Sequence, residues 1–305
     1  MNGALLAPAS ANAATASGKL GAMAHSASMA PITATVRLVS SSGSPRSGTA
    51  VTSSDPARLP SPNAATSDAP ESWTANTDVA RIPALRHVLV VTPSGGRFGW
   101  YSDWWNGGKG GVPAWETFHL TELRRLLERD YGAGRRRAIA GLSMGGAGAL
   151  AYAARHPGMF RAAASFSGVV HPLGDPQGFL GVLSAIGVAD PEALWGDPGA
   201  QHAIWAAHDP VALAPRLRGT PLFVSVGDGT AGPFDHGRVQ DGGIEASLHP
   251  QNMALAQRLR RLHIPATIDF YGPGTHSWPY WQRELHRALP LLLRALGGPT
   301  RAAAA

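Results

Sequence analysis

Arg137-Ala-Ile-Ala-Gly141-Leu-Ser143-Met-Gly145-Gly-Ala-Gly-Ala-Leu-Ala-Tyr-Ala-Ala-Arg155 is the stretch whose reading decides the fold. Its first part, Arg137 to Leu142, is a short apolar run and predicts a buried strand. Its last part, Gly146 to Arg155, is rich in small residues, compatible with a helix, and closed before Pro157. Between them lies Gly-x-Ser-x-Gly. Strand, sharp turn carrying serine, then helix is the setting in which that pattern makes a nucleophile elbow. The glycines matter because so tight a turn has no room for side chains on either side of the serine. The turn lifts the hydroxyl above the sheet edge and aims a helix N-terminus at it, where backbone N–H groups favour negative charge. In a chain with 37 glycines the pattern alone is weak. Its context makes Ser143 the candidate nucleophile.

Working outward, strands and helices alternate. His87 to Pro93 is an apolar run between Pro83 and Gly95-Gly96, a buried strand. Thr117 is placed to cap a helix whose Leu120, Leu123, Leu127 and Tyr131 share one face, ending at Gly132. Further strands are expected at Ala162 to Val170, Leu222 to Gly227 and Ala266 to Tyr271. Helices are expected at Pro250 to Leu262, with proline in its first turn, and at Trp278 to Leu296, kinked at Pro290. Residues 171–220 read as loops and short helices. This alternation implies an α/β fold with a mostly parallel sheet covered on both faces. Catalytic groups then belong at the C-terminal ends of strands. Ser143, Asp228 and His276 each follow such an end.

Residues 1–72 have a different texture. Forty-nine of them are Ala, Ser, Thr, Pro or Gly, and no aromatic ring of Phe, Trp or Tyr precedes Trp73. Such a segment buries too little apolar surface to offset the entropy of ordering it. It is expected to be low-complexity and disordered, apart from a short strand near Ile32 to Val39. The division expected is therefore 1–72, a folded domain over 73–297, and a disordered tail over 298–305. The net charge of +6 comes from scattered arginines. No basic stripe with interleaved aromatics occurs, so nucleic acid is not an expected partner. No apolar run reaches the ~18 residues of a transmembrane helix. The absence of cysteine excludes disulfides and thiolate chemistry. Met1 to Thr15 lacks the basic start of a secretory signal, so a cytoplasmic location is the default.

A serine hydroxyl needs a base to take its proton and a third group to orient that base. Among 12 histidines, His276 stands out. It lies in Gly272-Pro-Gly-Thr-His276-Ser-Trp278, between the last strand and the last helix, where the base falls in the chain order Ser, acid, His. Two acids compete on spacing: Asp228, just after a strand, and Glu245, just before the Pro250 helix. The cluster Trp100, Tyr101, Asp103, Trp104, Trp105 and the glycine-rich run after it suit either a sugar- or acyl-binding rim or plain loop packing. His202, His208 and Asp209 do not form a convincing metal spacing.

Five pieces in order carry a resemblance. They are Trp100-Tyr-Ser-Asp103-Trp-Trp, Trp115-Glu-Thr-Phe118, Gly141-Leu-Ser143-Met-Gly145, Glu245-Ala-Ser-Leu-His-Pro-Gln-Asn252 and Gly274-Thr-His276-Ser-Trp278-Pro-Tyr-Trp281. Over about residues 73–297 the chain resembles the putative-esterase family of α/β-hydrolases, and within it the mycolyltransferase-like branch with its actinobacterial esterase relatives. The resemblance implies an α/β-hydrolase fold and a serine esterase or acyltransferase that needs no metal or other cofactor. It implies a lipid, sugar or other small ester as substrate, and it makes secretion an option. It favours Glu245 as the acid, with Asp228 as the alternative. It implies that His276 takes the Ser143 proton, that the Met144 N–H donates to the oxyanion, and that Asp103, Trp104, Trp105 and Trp278 border the substrate site.

One departure stands beside it. The family has antiparallel strands and a Leu-Leu-x-Gly loop, which supplies a second oxyanion N–H, ahead of the position of Trp73. No such stretch is recognisable in residues 1–72, so the N-terminal strands are expected to be missing or degenerate. Ser94-Gly95-Gly96 follows the wrong strand to replace the loop. Loss of one oxyanion donor costs about 10²–10³ in rate. The competing expectation is a non-catalytic relative with a carbohydrate- or protein-binding surface.

Overall fold

The computed structural model describes residues 71–236 and 242–297, together with the backbone of two N-terminal strands, β1 (Thr35–Leu38) and β2 (Gly48–Ser53). Five further strands follow: β3 (Val88–Thr92), β4 (Arg137–Leu142), β5 (Ala163–Phe166), β6 (Leu222–Val226) and β7 (Thr267–Phe270). They form one sheet in the order β1-β3-β2-β4-β5-β6-β7. Only β1 runs antiparallel to its neighbour; all other pairings are parallel. Two strands thus precede Trp73, where the family's N-terminal strands are expected to be missing or degenerate. The strand expected near Ile32 to Val39 falls on β1, and β2 inserts between β3 and β4, pairing Val51 with Val91 and Ile139. Only a few apolar residues of β2 stand out from its Ala, Ser and Thr background, so period-2 patterning does not reveal it.

The helices are α1 (Ser72–Asn76), α2 (Trp115–Thr117, a π-helical stretch Phe118–Leu123, and Arg124–Asp130) and α3 (Ser143–Arg155). Then come α4 (Pro176–Ala185), three short helices α5 (Glu192–Trp195), α6 (His202–Ala206) and α7 (Pro210–Leu213), α8 (Gly242–Arg261) and α9 (Trp278–Leu296). Side chains of β4 alternate between two buried faces. Ala138, Ala140 and Leu142 face one side, with Trp73 and the α9 stripe Trp281, Leu285, Ala288, Leu289, Leu292 and Leu296. Ile139 faces the other side, with Leu150 of α3 and Leu255 and Leu259 of α8. Each leucine on these stripes contributes roughly 1.5–3 kcal/mol by leaving water. Both layers are therefore fixed by the same strand, and the elbow is clamped between them.

Several boundaries differ from expectation for local reasons. α2 begins at Trp115, and Thr117 does not cap it. Instead Asp103 accepts from the Thr117 N–H (3.0 Å) and hydroxyl (2.6 Å). β5 stops at Phe166 because Ser167 turns to φ +48°. α8 begins at Gly242 and carries Pro250 in its interior. Proline costs the helix one hydrogen bond there. The buried Leu248, Leu255 and Leu259 hold it in place by packing. Glu245 consequently lies in the first turn of α8, not ahead of the helix. Pro290 likewise sits inside α9, which continues to Leu296.

Candidate active site

The elbow is held by the absence of side chains around it. Ser143 has φ +52°, a left-handed conformation that costs a non-glycine residue energy and persists only where its surroundings impose it. A Cβ on Gly141 would stand 2.1 Å from the Gly145 carbonyl oxygen, so no larger residue fits inside the turn. A Cβ on Gly146 would meet the Ser165 hydroxyl at 2.6 Å, which shows how closely α3 approaches the end of β5. Ser143 is almost fully buried, and its carbonyl accepts from the Val169 N–H at 3.2 Å. Met144 is the second residue of α3, in the first turn, where backbone N–H groups have no helical acceptor. Its side chain is in the core.

The structure brings Glu245 and His276 together. His276 Nδ1 lies 2.7 Å from Glu245 Oε2, with both residues buried. Glu245 Oε1 accepts three further hydrogen bonds: from the Gly227 N–H (2.7 Å), the Ser167 hydroxyl (2.8 Å) and the Tyr271 hydroxyl (3.1 Å). Burying a carboxylate is costly unless its oxygens are satisfied, and here both are. His276 Nε2 and Ser143 Oγ are both buried, and neither has a hydrogen-bond partner among the described residues. Ser143 follows the C-terminal end of β4 and His276 the C-terminal end of β7, and a buried polar atom without a partner calls for an explanation. The Trp281 ring meets His276 edge-on at 4.8 Å.

Asp228 takes no part in this arrangement. Its carboxylate accepts from Thr230 N–H (2.8 Å) and hydroxyl (2.6 Å), and the Thr230 bonds hold it below its ordinary range. Another aspartate supports the His276 loop. Asp235 accepts from the Thr275 and Tyr280 hydroxyls, each at 2.5 Å, and from the Gly232 N–H at 2.7 Å. Sequence reasoning missed Ser167, Tyr271 and Asp235 as site residues, since none lies in a pattern of its own; Trp281 ends the His276 piece but carries no assigned role there.

The expected rim is partly inward-facing. Trp100 and Tyr101 are buried, at φ +52° and +51°. Trp100 packs on Phe179 and Trp195, and Tyr101 lies against Gly148 of α3. Trp104 and Trp105 are half-buried on the same loop; the Trp105 N–H bonds the Leu194 carbonyl at 2.9 Å. Trp278 is half-buried between Trp73 and Trp281. Ser94–Gly96 follows β3, which β2 separates from β4. The loop that leaves β2, where a second oxyanion donor is expected, begins outside the described residues.

Three other histidines, His119, His208 and His171, have structural partners. His119, in the π-helical stretch, reaches the Tyr152 hydroxyl (3.0 Å) and the Ser94 carbonyl (2.8 Å), and burial pushes it down to about 4. His208 stacks on Trp195 and is also lowered to about 4, by burial first and then by Arg155. Asp209 caps α7 and binds His171 at 2.9 Å, raising it. Among the described residues no group of three or more His, Asp or Glu side chains is placed to hold a metal, and no helix is long and apolar enough to cross a membrane.

This strand order, with a left-handed serine at the β4–α3 turn, defines an α/β-hydrolase. A family model described as "Putative esterase" matches residues 67–292, and the chain belongs to that family. Diacylglycerol acyltransferase/mycolyltransferase Ag85B of Mycolicibacterium smegmatis is 33% identical over 243 residues, covering 74% of this chain and 72% of its own. Ag85A of Mycobacterium ulcerans is 32% identical over 244 residues, covering 74% and 69%. Among solved structures, Mycobacterium tuberculosis MPT51 superposes with a TM-score of 0.68 at 24% identity, over 87% of this chain and 93% of that one. An S-formylglutathione hydrolase from Agrobacterium tumefaciens gives 0.58 at 18%, over 82% and 84%; both structural matches speak to the fold. The chain is an enzyme of the esterase and acyltransferase kind.

Proposed function

We propose that this chain is a serine-dependent carboxylic ester hydrolase or acyltransferase that works through an acyl-serine. The observation that carries the reading is the 2.7 Å contact of Glu245 with His276 Nδ1, on a base whose Nε2 is buried and unpartnered, as is the hydroxyl of the left-handed Ser143. His276 Nε2 takes the Ser143 proton while Oγ attacks the ester carbonyl carbon. Glu245 fixes the tautomer that leaves Nε2 free to accept, and balances the imidazolium that forms. The Met144 N–H donates to the tetrahedral oxyanion. Collapse breaks the ester C–O bond, and His276 returns the proton to the departing alcohol. An acceptor hydroxyl then repeats the sequence on the acyl-serine and restores Ser143. Water as acceptor gives hydrolysis; an alcohol gives transfer. The named activities of the Ag85 relatives favour a lipid acyl donor.

Trp104, Trp105 and Trp278 border the substrate in this reading. Asp103 acts at the same rim by tying the loop to α2 through Thr117. Purified protein assayed on short-chain p-nitrophenyl esters, beside Ser143→Ala, tests the proposal. The expected result is turnover lost with the substitution, together with a serine-directed fluorophosphonate adduct on the parent alone. A folded parent that neither turns over nor takes up the label would make the chain a binding-only relative.

A further inference from the structure

The three donors to Glu245 Oε1 come from three neighbouring strands. Ser167 is the first residue beyond β5, Gly227 the first beyond β6 and Tyr271 the first beyond β7. The pairings Phe166 with Ser225 and Val226 with Phe270 bring these strand ends to one level. The bonds leave Oε2 to His276 alone. The Ser167 hydroxyl is itself directed, because the Trp281 indole N–H, which can only donate, occupies its oxygen at 3.1 Å. The Ser167 proton is therefore aimed at Glu245. The same Trp281 ring stands edge-on to His276, so one side chain restrains both partners of the pair.

Building on the esterase reading above, we infer that Tyr271 and Ser167, the latter aligned by Trp281, are positioning residues that hold Glu245 with one oxygen turned to His276. Tyr271 suits this role chemically. Burial, and then the neighbouring Glu245, push its hydroxyl far above the usual phenol range, so it remains a donor. The Arg283 guanidinium lies 4.3 Å over its ring, a cation–π contact that draws charge from the phenol and fixes the ring. Other ionisable groups around this cage are Glu284 on α9, which acts electrostatically on Tyr271, and His249 on α8, bonded to the Gly227 carbonyl at 2.9 Å. Without the Tyr271 and Ser167 donors the Glu245 carboxylate turns more freely about its terminal torsion, and its charge is shared among fewer contacts.

Tyr271→Phe and Ser167→Ala test the inference, each checked for folding by circular dichroism and thermal melting. The expected result for either is a kcat about tenfold lower, the fold-change that corresponds to one hydrogen bond to a charged group. KM should stay within about twofold, because ground-state ester binding does not use the cage. The acid limb of the kcat/KM profile should move to higher pH, on the order of half a unit, since the undispersed carboxylate charge then favours imidazolium more strongly. Trp281→Phe keeps a ring against His276 while freeing Ser167, and should reproduce the limb shift with a smaller kcat loss. A lowered melting temperature with kcat and the acid limb unchanged in both Tyr271→Phe and Ser167→Ala would overturn the inference and leave the esterase reading intact. A parent without Ser143-dependent turnover or labelling would overturn that reading, and the inference with it.

Discussion

Glu245 and Glu284 are both fully buried glutamates near the starts of long helices, yet their surroundings are opposite. Around Glu245 four donors divide between the two oxygens. Around Glu284, Oε1 accepts from Arg283 at 2.7 Å and Arg287 at 3.4 Å, while buried Oε2 has no partner among the described residues. Asp269 adds a second negative charge beside it. Burial pushes Glu284 up to about 7, with Asp269 adding to the rise and Arg283 opposing it. The lesson is that burial alone does not fix what a carboxylate does. Two oxygens fully occupied by fixed donors suit an orienting anion; a half-occupied carboxylate drifts toward the neutral acid.

The sharpest way to break the comparison is Glu245→Gln. It keeps the shape but reverses one polar group, and turnover should fall by about 10³–10⁴, as for a triad whose acid becomes an amide. Steady-state kinetics on the same ester would read it. A loss under tenfold would show that Glu245 and Glu284 differ less than their contacts do. The second effect is on stability. Glu284 has a folded value above its unfolded one of 4.5. Its contribution is therefore fully present below about 4.5 and is lost as pH rises through about 7. Glu284→Gln should remove that decline, leaving the variant more stable than the parent at pH 8 by on the order of 2 kcal/mol, with activity retained. Melting temperatures across pH would show it.

The acid side of the same curve belongs to histidines. His119 and His208, each lowered from 6.5 to about 4, contribute stability that is present above pH 6.5 and lost as pH falls through 4. His119→Gln should flatten the loss between those limits, at some cost in stability at pH 7 from the disturbed Tyr152 contact. The smallest effect belongs to Asp228→Asn. With its carboxylate turned to Thr230 and away from His276, kcat should stay within about twofold; a loss like that of Glu245→Gln would restore Asp228 as the acid.

These contrasts also mark what sequence could and could not show. The run Arg137 to Leu142 is β4 to the residue, because it is an apolar run between charged residues and the serine turn, and Trp278 to Leu296 is α9 to the residue, because it carries a helical period that ends at glycine. Ser143 and His276 stand out by chain order and Glu245 by resemblance; the structure puts Glu245 on His276 and leaves Asp228 outside. Ser167, Gly227 and Tyr271 carry no shared signal, because what unites them is strand register, which no local stretch encodes. β2 escapes a local reading for a related reason: a strand paired on both edges is recruited by its neighbours as much as by its own residues. α8 starts eight residues before Pro250, which local sequence reads as a beginning, because tertiary packing carries the helix through it.

The three-strand origin of the Glu245 contacts has a mechanical consequence. A slip of about an ångström between β6 and β7 would open hydrogen bonds that operate within a few tenths of an ångström, yet it would hardly alter the strand content of the sheet. On the proposed mechanism, catalysis would act as a displacement gauge for the far sheet edge. Under rising denaturant or pressure, the turnover signal should fade at a lower dose than the far-ultraviolet signal, and the gap between the two curves measures how far that edge loosens before the domain gives way.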